Sequence, residues 1–145
     1  MDYFMLVASV SLVFQVAVFI LLLGGWMLKK MRLFRVHGVF MFVGVALHLF
    51  TIGILMVPSF FLAFIPMVGS SPLSLSLAVA IVHAGLGSIA AVLGVWIVGA
   101  WRLRRDLKYC IPMKKWMRRT FFVWSGALVL GFILYLSLFW NLLLG

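Results

Sequence analysis

Three histidines, His37, His48 and His83, are the residues of this chain best suited to chemistry. The only carboxylates are Asp2 and Asp106, and both fall outside the long apolar stretches. General acid–base catalysis, sodium coordination and carboxylate proton relays therefore lack their usual groups. The sequence also offers no convincing Ser/His/Asp set, no Cys/His cluster with zinc spacing and no glycine-rich phosphate loop. What remains is imidazole. A neutral imidazole is a favoured axial ligand for haem iron, and two of them on neighbouring helices can clasp one ring.

Spacing supports such a pair. Eleven residues separate His37 from His48, and eleven steps of ~100° return an α-helix to within ~20° of its starting direction. Both rings, with Met41, Gly44 and Thr51 between and beyond them, share one face. In a later apolar stretch Ala80, Ala84, Gly87, Ala91 and Gly94 draw a stripe of small residues, and His83 stands beside it, ~40° from Gly87 and ~20° from Gly94. Such a stripe marks close helix contact in lipid, or leaves a slot for a flat cofactor. The expected site is thus His48 and His83 as metal ligands, Gly44, Gly87 and Gly94 making room for a porphyrin, and His37 at the slot's wet inner mouth. Two other readings stand beside it. Intramembrane imidazoles can simply bond polar groups on the next helix, for which Ser11 and Gln15 are candidates. Copper is a third option, but the nine methionines are scattered as core filler would be.

Depth along the spans tests whether the two ligands meet. His48 is ten residues from Pro58 and His83 ten from Leu73, which sets both ~15 Å from that end. From the basic end, His48 is thirteen residues from Arg35 and His83 nineteen from Arg102, a mismatch of ~8 Å. The tight connection at Pro66–Pro72 favours the first ruler.

The elements that carry these residues follow from composition. Of 145 residues 67% are hydrophobic and 10% charged, with mean hydropathy +1.30. A soluble domain has ~45–50% apolar and ~25% charged residues, so the bilayer is the solvent here. Four apolar stretches, about Tyr3–Leu28, Val36–Ile65, Leu73–Trp101 and Thr120–Leu143, each exceed the ~20 residues that cross ~30 Å of hydrocarbon. No period-two alternation supports a barrel. The first stretch is too long and lacks the basic start of a cleaved signal, and reads as a retained signal-anchor. Pro58 predicts a kink or a helix end. Short connections predict an all-α, up-down-up-down four-helix bundle in one transmembrane domain.

Charge orients it. All twelve Lys and Arg residues lie in two connections, Lys29–Arg35 and Arg102–Arg119, while the Pro66–Pro72 connection has none. The positive-inside rule places the basic connections in the cytoplasm and both termini outside, in a cell membrane. Trp26, Trp101, Trp116 and Trp124 flank the basic connections as an interfacial belt, with Tyr3 and Trp140 near the other face. The net charge of +10 is chiefly this topology signal, with anionic lipid or an acidic protein as partners of the inner connection. Nucleic acid is excluded as a partner, since the basic residues lie against a membrane. Cys110, the single cysteine, forms no internal disulfide.

The segment KKWMRRTFFVWSGALVLGFILYL, Lys114 to Leu136, resembles the end of a family of small four-span proteins tied to cytochrome c oxidase maturation, the CtaM-like family. The shared residues are Arg118, Thr120, Phe121, Trp124, Gly131 and Tyr135. IVHAGLGSIAAVLG resembles that family's third span with His83 in the histidine's place, and RVHGVFMF resembles its span start with His37. The chain departs from the family at Met113, where a histidine is expected, and at His48, where an apolar residue is. The family's longer, histidine-bearing outer segment is also missing. The resemblance implies a place near respiratory haem–copper chemistry. The resulting expectation is a small membrane subunit of a respiratory electron-transfer system. It would be cytochrome-b-like, with haem b, a larger respiratory complex as host and quinol as a candidate electron source. The alternative is a non-redox accessory or assembly subunit of a haem–copper oxidase or a related complex.

Overall fold

A computed structural model describes residues 3–66, 75–101 and 110–144. Four long helices dominate them: α1 (Tyr3–Lys30), α2 (Phe34–Thr51), α3 (Leu75–Trp101) and α4 (Cys110–Leu144). No strand occurs among the described residues. All four are long and apolar enough to cross a membrane, over Met5–Lys30, Phe34–Leu62, Leu75–Trp101 and Met113–Ser137, with mean hydropathies of 2.7, 2.3, 2.1 and 1.8. Apolar side chains surround each helix on every side, which suits lipid outside and packing inside. Val13, Ile20, Val92 and Phe122 are among the many large apolar residues left exposed. The expected all-α four-helix bundle is present. The Pro66–Pro72 connection beyond Pro66, the basic residues 102–108 and the Cys110 side chain lie outside the described residues.

The helices form a ring. α1 packs along α2 and α3 along α4, and the α1–α4 and α2–α3 contacts close it. A tight turn joins α1 to α2. The N–H of Leu33 bonds the Leu28 carbonyl (3.0 Å) and that of Arg32 bonds the Lys29 carbonyl (3.1 Å). This is a Schellman cap, and Arg32 fills its left-handed position at φ 61° where glycine is the usual occupant. Lys30 sits over the Trp26 ring at 3.9 Å and Arg119 over Trp116 at 5.1 Å, so these two tryptophans do carry cations at the basic end.

Pro58 neither ends the span nor simply kinks it. The helix runs on beyond Thr51 as two π-helical turns, Ile52–Met56 and Phe60–Phe64, on either side of a short α-helical turn, Val57–Ser59. Proline lacks an N–H and its ring collides with the carbonyl four residues back. Widening the helix relieves that collision, and the Val57 N–H reaches the Ile52 carbonyl five residues away. The Ser59 hydroxyl donates to the Leu55 carbonyl at 2.6 Å, one turn back on the same segment.

The core is one compact cluster drawn from all four helices: Val18 and Leu22, Val45, Ala90 and Trp124. Trp124 therefore does not belong to an interfacial belt. It is 2% exposed, because the stripe of small residues on α3 lets α4 approach closely enough to bury an indole.

Candidate functional site

Each intramembrane imidazole is held by a backbone carbonyl on a neighbouring helix. His37 Nδ1–H donates to the Gly25 carbonyl of α1 at 2.7 Å. His83 Nδ1–H donates to the Ala127 carbonyl of α4 at 2.8 Å. His48 Nε2–H makes a longer contact of 3.4 Å to the Gly87 carbonyl of α3. The side chains of Ser11 and Gln15, expected as partners, are not used. A helix carbonyl already accepting its own N–H has a second lone pair, so it can take an imidazole N–H at little cost.

The shared face of α2 buries both His37 and His48 as its periodicity predicts, but the two rings serve different places. Between them lies the core cluster of Val18, Leu22, Val45, Ala90 and Trp124. His37 is 8% exposed and packed rather than wet. A Cβ at Gly25 would strike the Met41 methyl and come within 3.5 Å of His37 Nδ1. A Cβ at Gly38, one residue on, would run into the Trp101 indole. The described residues around His37 are closely packed, and its bond to Gly25 fastens α1 to α2.

On the other side of the core is a cavity of about 730 Å³ bordered by all four spans, within the ~300–1,000 Å³ range of ligand sites. His48 and His83 both line it, together with Ser11, Gln15, Gly87 and Gly131. Most of its remaining wall is apolar. The imidazoles are staggered by about one turn. His48 is level with Gly87 and with Trp124, whose ring centroid lies 4.7 Å from its own at 47°. His83 is four residues nearer the start of α3 than Gly87, ~6 Å along the axis. This agrees with the ruler laid from the basic charges better than with the one laid from the uncharged turn.

The glycines divide. Gly87 borders the cavity, and a Cβ there would meet nothing within 4 Å. Gly94 serves packing instead: a Cβ would stand 3.0 Å from Val45 Cγ2 and 3.5 Å from Trp124. A Cβ at Gly44 would meet only Leu21 Cβ, at 3.9 Å, and neither Gly44 nor Gly94 borders the cavity. The small-residue stripe thus does both things expected of it. Ala80, Ala84 and Gly87 leave space, while Ala91 and Gly94 are buried in close helix contact.

Gly131 is a site residue that histidine spacing does not reveal. A Cβ there would collide with Gln15 Oε1 and stand 2.8 Å from His83 Cε1. Its hydrogen atom is what lets the Gln15 amide and the His83 ring meet over α4. Gln15 Oε1 is buried with no hydrogen-bond partner.

The donor set bears on what can bind. Among the described residues no group of three or more His, Cys, Asp or Glu could hold a bare metal ion. Haem iron needs only two protein ligands, because the porphyrin supplies four. His83, with Nδ1–H fixed on the Ala127 carbonyl, leaves Nε2 unprotonated, as in histidines that ligate a metal through one nitrogen and donate from the other. His48 would have to give up its 3.4 Å contact to Gly87 and carry its proton on Nδ1 instead of Nε2 to offer the same nitrogen. Compared with family models, curated proteins and solved structures, the chain matches none of them.

Proposed function

We propose that the chain is a small membrane subunit of a respiratory electron-transfer system that holds a b-type haem between His48 and His83. The observation that carries this reading is that two imidazoles from different spans open onto one largely apolar cavity. Haem supplies one-electron chemistry when bound. The chain's own residues do the rest. Ala127 holds the His83 tautomer through its carbonyl, Trp124 braces the His48 ring, and Gly87 leaves volume beside both. The apolar walls exclude water, and such burial is one of the levers that set a haem potential.

The resemblance to the CtaM-like family supports the same respiratory setting. Of its shared residues, Thr120 and Trp124 are buried and Gly131 and Tyr135 border the cavity. With the basic end cytoplasmic, the cavity occupies the outer half of the membrane. A larger respiratory complex would be the host.

Reduced-minus-oxidised visible spectra of the detergent-purified protein from haem-replete cells test this. A Soret and α-band pair is expected, lost in His48→Ala and His83→Ala and kept in His37→Ala. Gly87→Leu fills open space beside the rings and is expected to block haem while the bundle still folds. A colourless folded protein would overturn the reading and leave the accessory or assembly role in its place.

A further inference from the structure

The haem reading leaves Gln15 unexplained. Gln15 is among the residues bordering the cavity and is 8% exposed; its Oε1 is packed against Gly131, within a swing of the side chain from the cavity, and has no partner. A polar group left unmet in hydrocarbon is strongly unfavourable. Neighbouring groups do not relieve it. The His83 N–H is committed to the Ala127 carbonyl. Ser9 donates to the Met5 carbonyl at 2.8 Å, so its 3.3 Å contact with Tyr135 has the phenol as donor. An amide kept at such a place fits a ligand with complementary hydrogen-bonding groups.

The cavity also has a side facing lipid. Val57, Phe61 and Leu62 border it and are at the same time exposed, Phe61 at 61% and Leu62 at 62%. They lie on and beside the π-helical turns around Pro58. This outer part of the second span packs mainly on its own neighbouring turns rather than along another helix. The cavity therefore opens sideways towards the acyl chains, with apolar and aromatic residues at its mouth and polar ones within.

We infer that the cavity admits the head of a lipid-borne quinol, entering past Phe61 and Leu62 and pairing one ring oxygen with the Gln15 amide. The chemistry of the wall selects this class. The amide accepts from a quinol hydroxyl, and turned over it donates to a quinone carbonyl, so one side chain serves both redox states. The apolar mouth suits an isoprenoid tail. Binding at Gln15 stands independently of the haem; only the quinol's role as electron source rests on that earlier reading.

The test is titration of the full-length protein in detergent with decylubiquinol, followed by calorimetry, in haem-loaded and haem-free preparations. Saturable binding is expected, weakened about tenfold in Gln15→Leu, the worth of one ordinary hydrogen bond. Val13→Ala, on the lipid-facing side of α1, is expected to bind as the native chain does. Gln15→Leu removes an orphaned acceptor and should melt no lower than native. A photoreactive quinone on the unaltered protein gives a second readout, with labels expected at the cavity-lining residues Val7, Ser11 and Gln15 of α1 and at Phe61–Leu62. Non-saturating uptake, equal affinity in Gln15→Leu, or labels confined to lipid-facing residues such as Val13 and Val16 would each overturn the inference. Absence of a Soret band with Gln15-dependent binding intact would sink the haem and not the quinol.

Discussion

Gly131→Ala is the sharpest perturbation the site offers. The added methyl would collide with Gln15 Oε1 and stand 2.8 Å from Cε1 and 3.2 Å from Nδ1 of His83. The Gln15 amide ends a flexible chain and can swing aside. The His83 ring cannot do so freely, because Nδ1–H is tied to the Ala127 carbonyl at 2.8 Å, one turn away on the same helix. Overpacking a tight contact costs ~1–3 kcal/mol, and loosening the ring's hydrogen bond adds ~0.5–1.5 kcal/mol. A destabilisation of about 2–3 kcal/mol is expected. Gly126→Ala is the control: on the same helix, its nearest neighbour is Leu86 Cδ1 at 4.0 Å, so it should be close to neutral. Unfolding in mixed micelles under increasing SDS reads the difference, and, under the proposed haem ligation, the visible spectrum reads whether the displaced ring can hold iron. Equal stability of the two variants, with an unchanged spectrum, would refute the placement of Gln15 and His83 around Gly131.

Other outcomes follow from the same contacts. Gly38→Ala should destabilise the basic end by about 1–3 kcal/mol in the same SDS titration, because its methyl runs into the Trp101 indole. His37→Phe should lose about 1–2 kcal/mol with the bond to Gly25, yet leave the cavity's spectra and ligand binding unchanged, since His37 lies across the core from it. Arg32→Gly should raise the melting temperature, by relieving about 1 kcal/mol of left-handed strain at φ 61°.

The number of apolar spans was legible in the sequence, but not every limit: α4 begins at Cys110, ten residues before the apolar stretch expected from Thr120, so that Lys114–Arg119 are helical. Continuous apolar runs admit few structures in lipid, and period and length choose the helix. The burial of His37 and His48 on one face of α2 was legible too, since helical periodicity is a local property. Partners were not. Nothing in the identities of Gly25, Gly87 and Ala127 says that their carbonyls receive imidazoles, because every residue carries a carbonyl. Ser11 and Gln15 looked the better acceptors only because their polarity is in the side chain. Trp124 looked interfacial by its closeness to Arg118 and Arg119, and its burial depends on small residues of another helix.

By itself, then, the amino-acid order determined the solvent, the number of crossings and which side of each helix carries polar groups. These depend on composition and on a repeat of 3.6 residues, both contained within single segments. Only the packed bundle decided that His48 and His83 border one cavity while His37 does not. It also decided that Gly87 faces open space while Gly94 is filled by Val45. The physical reason is that axial stagger and helix separation are set by side chains meeting across the bundle, and a shift of one turn, ~5.4 Å, changes every such meeting without altering any local pattern.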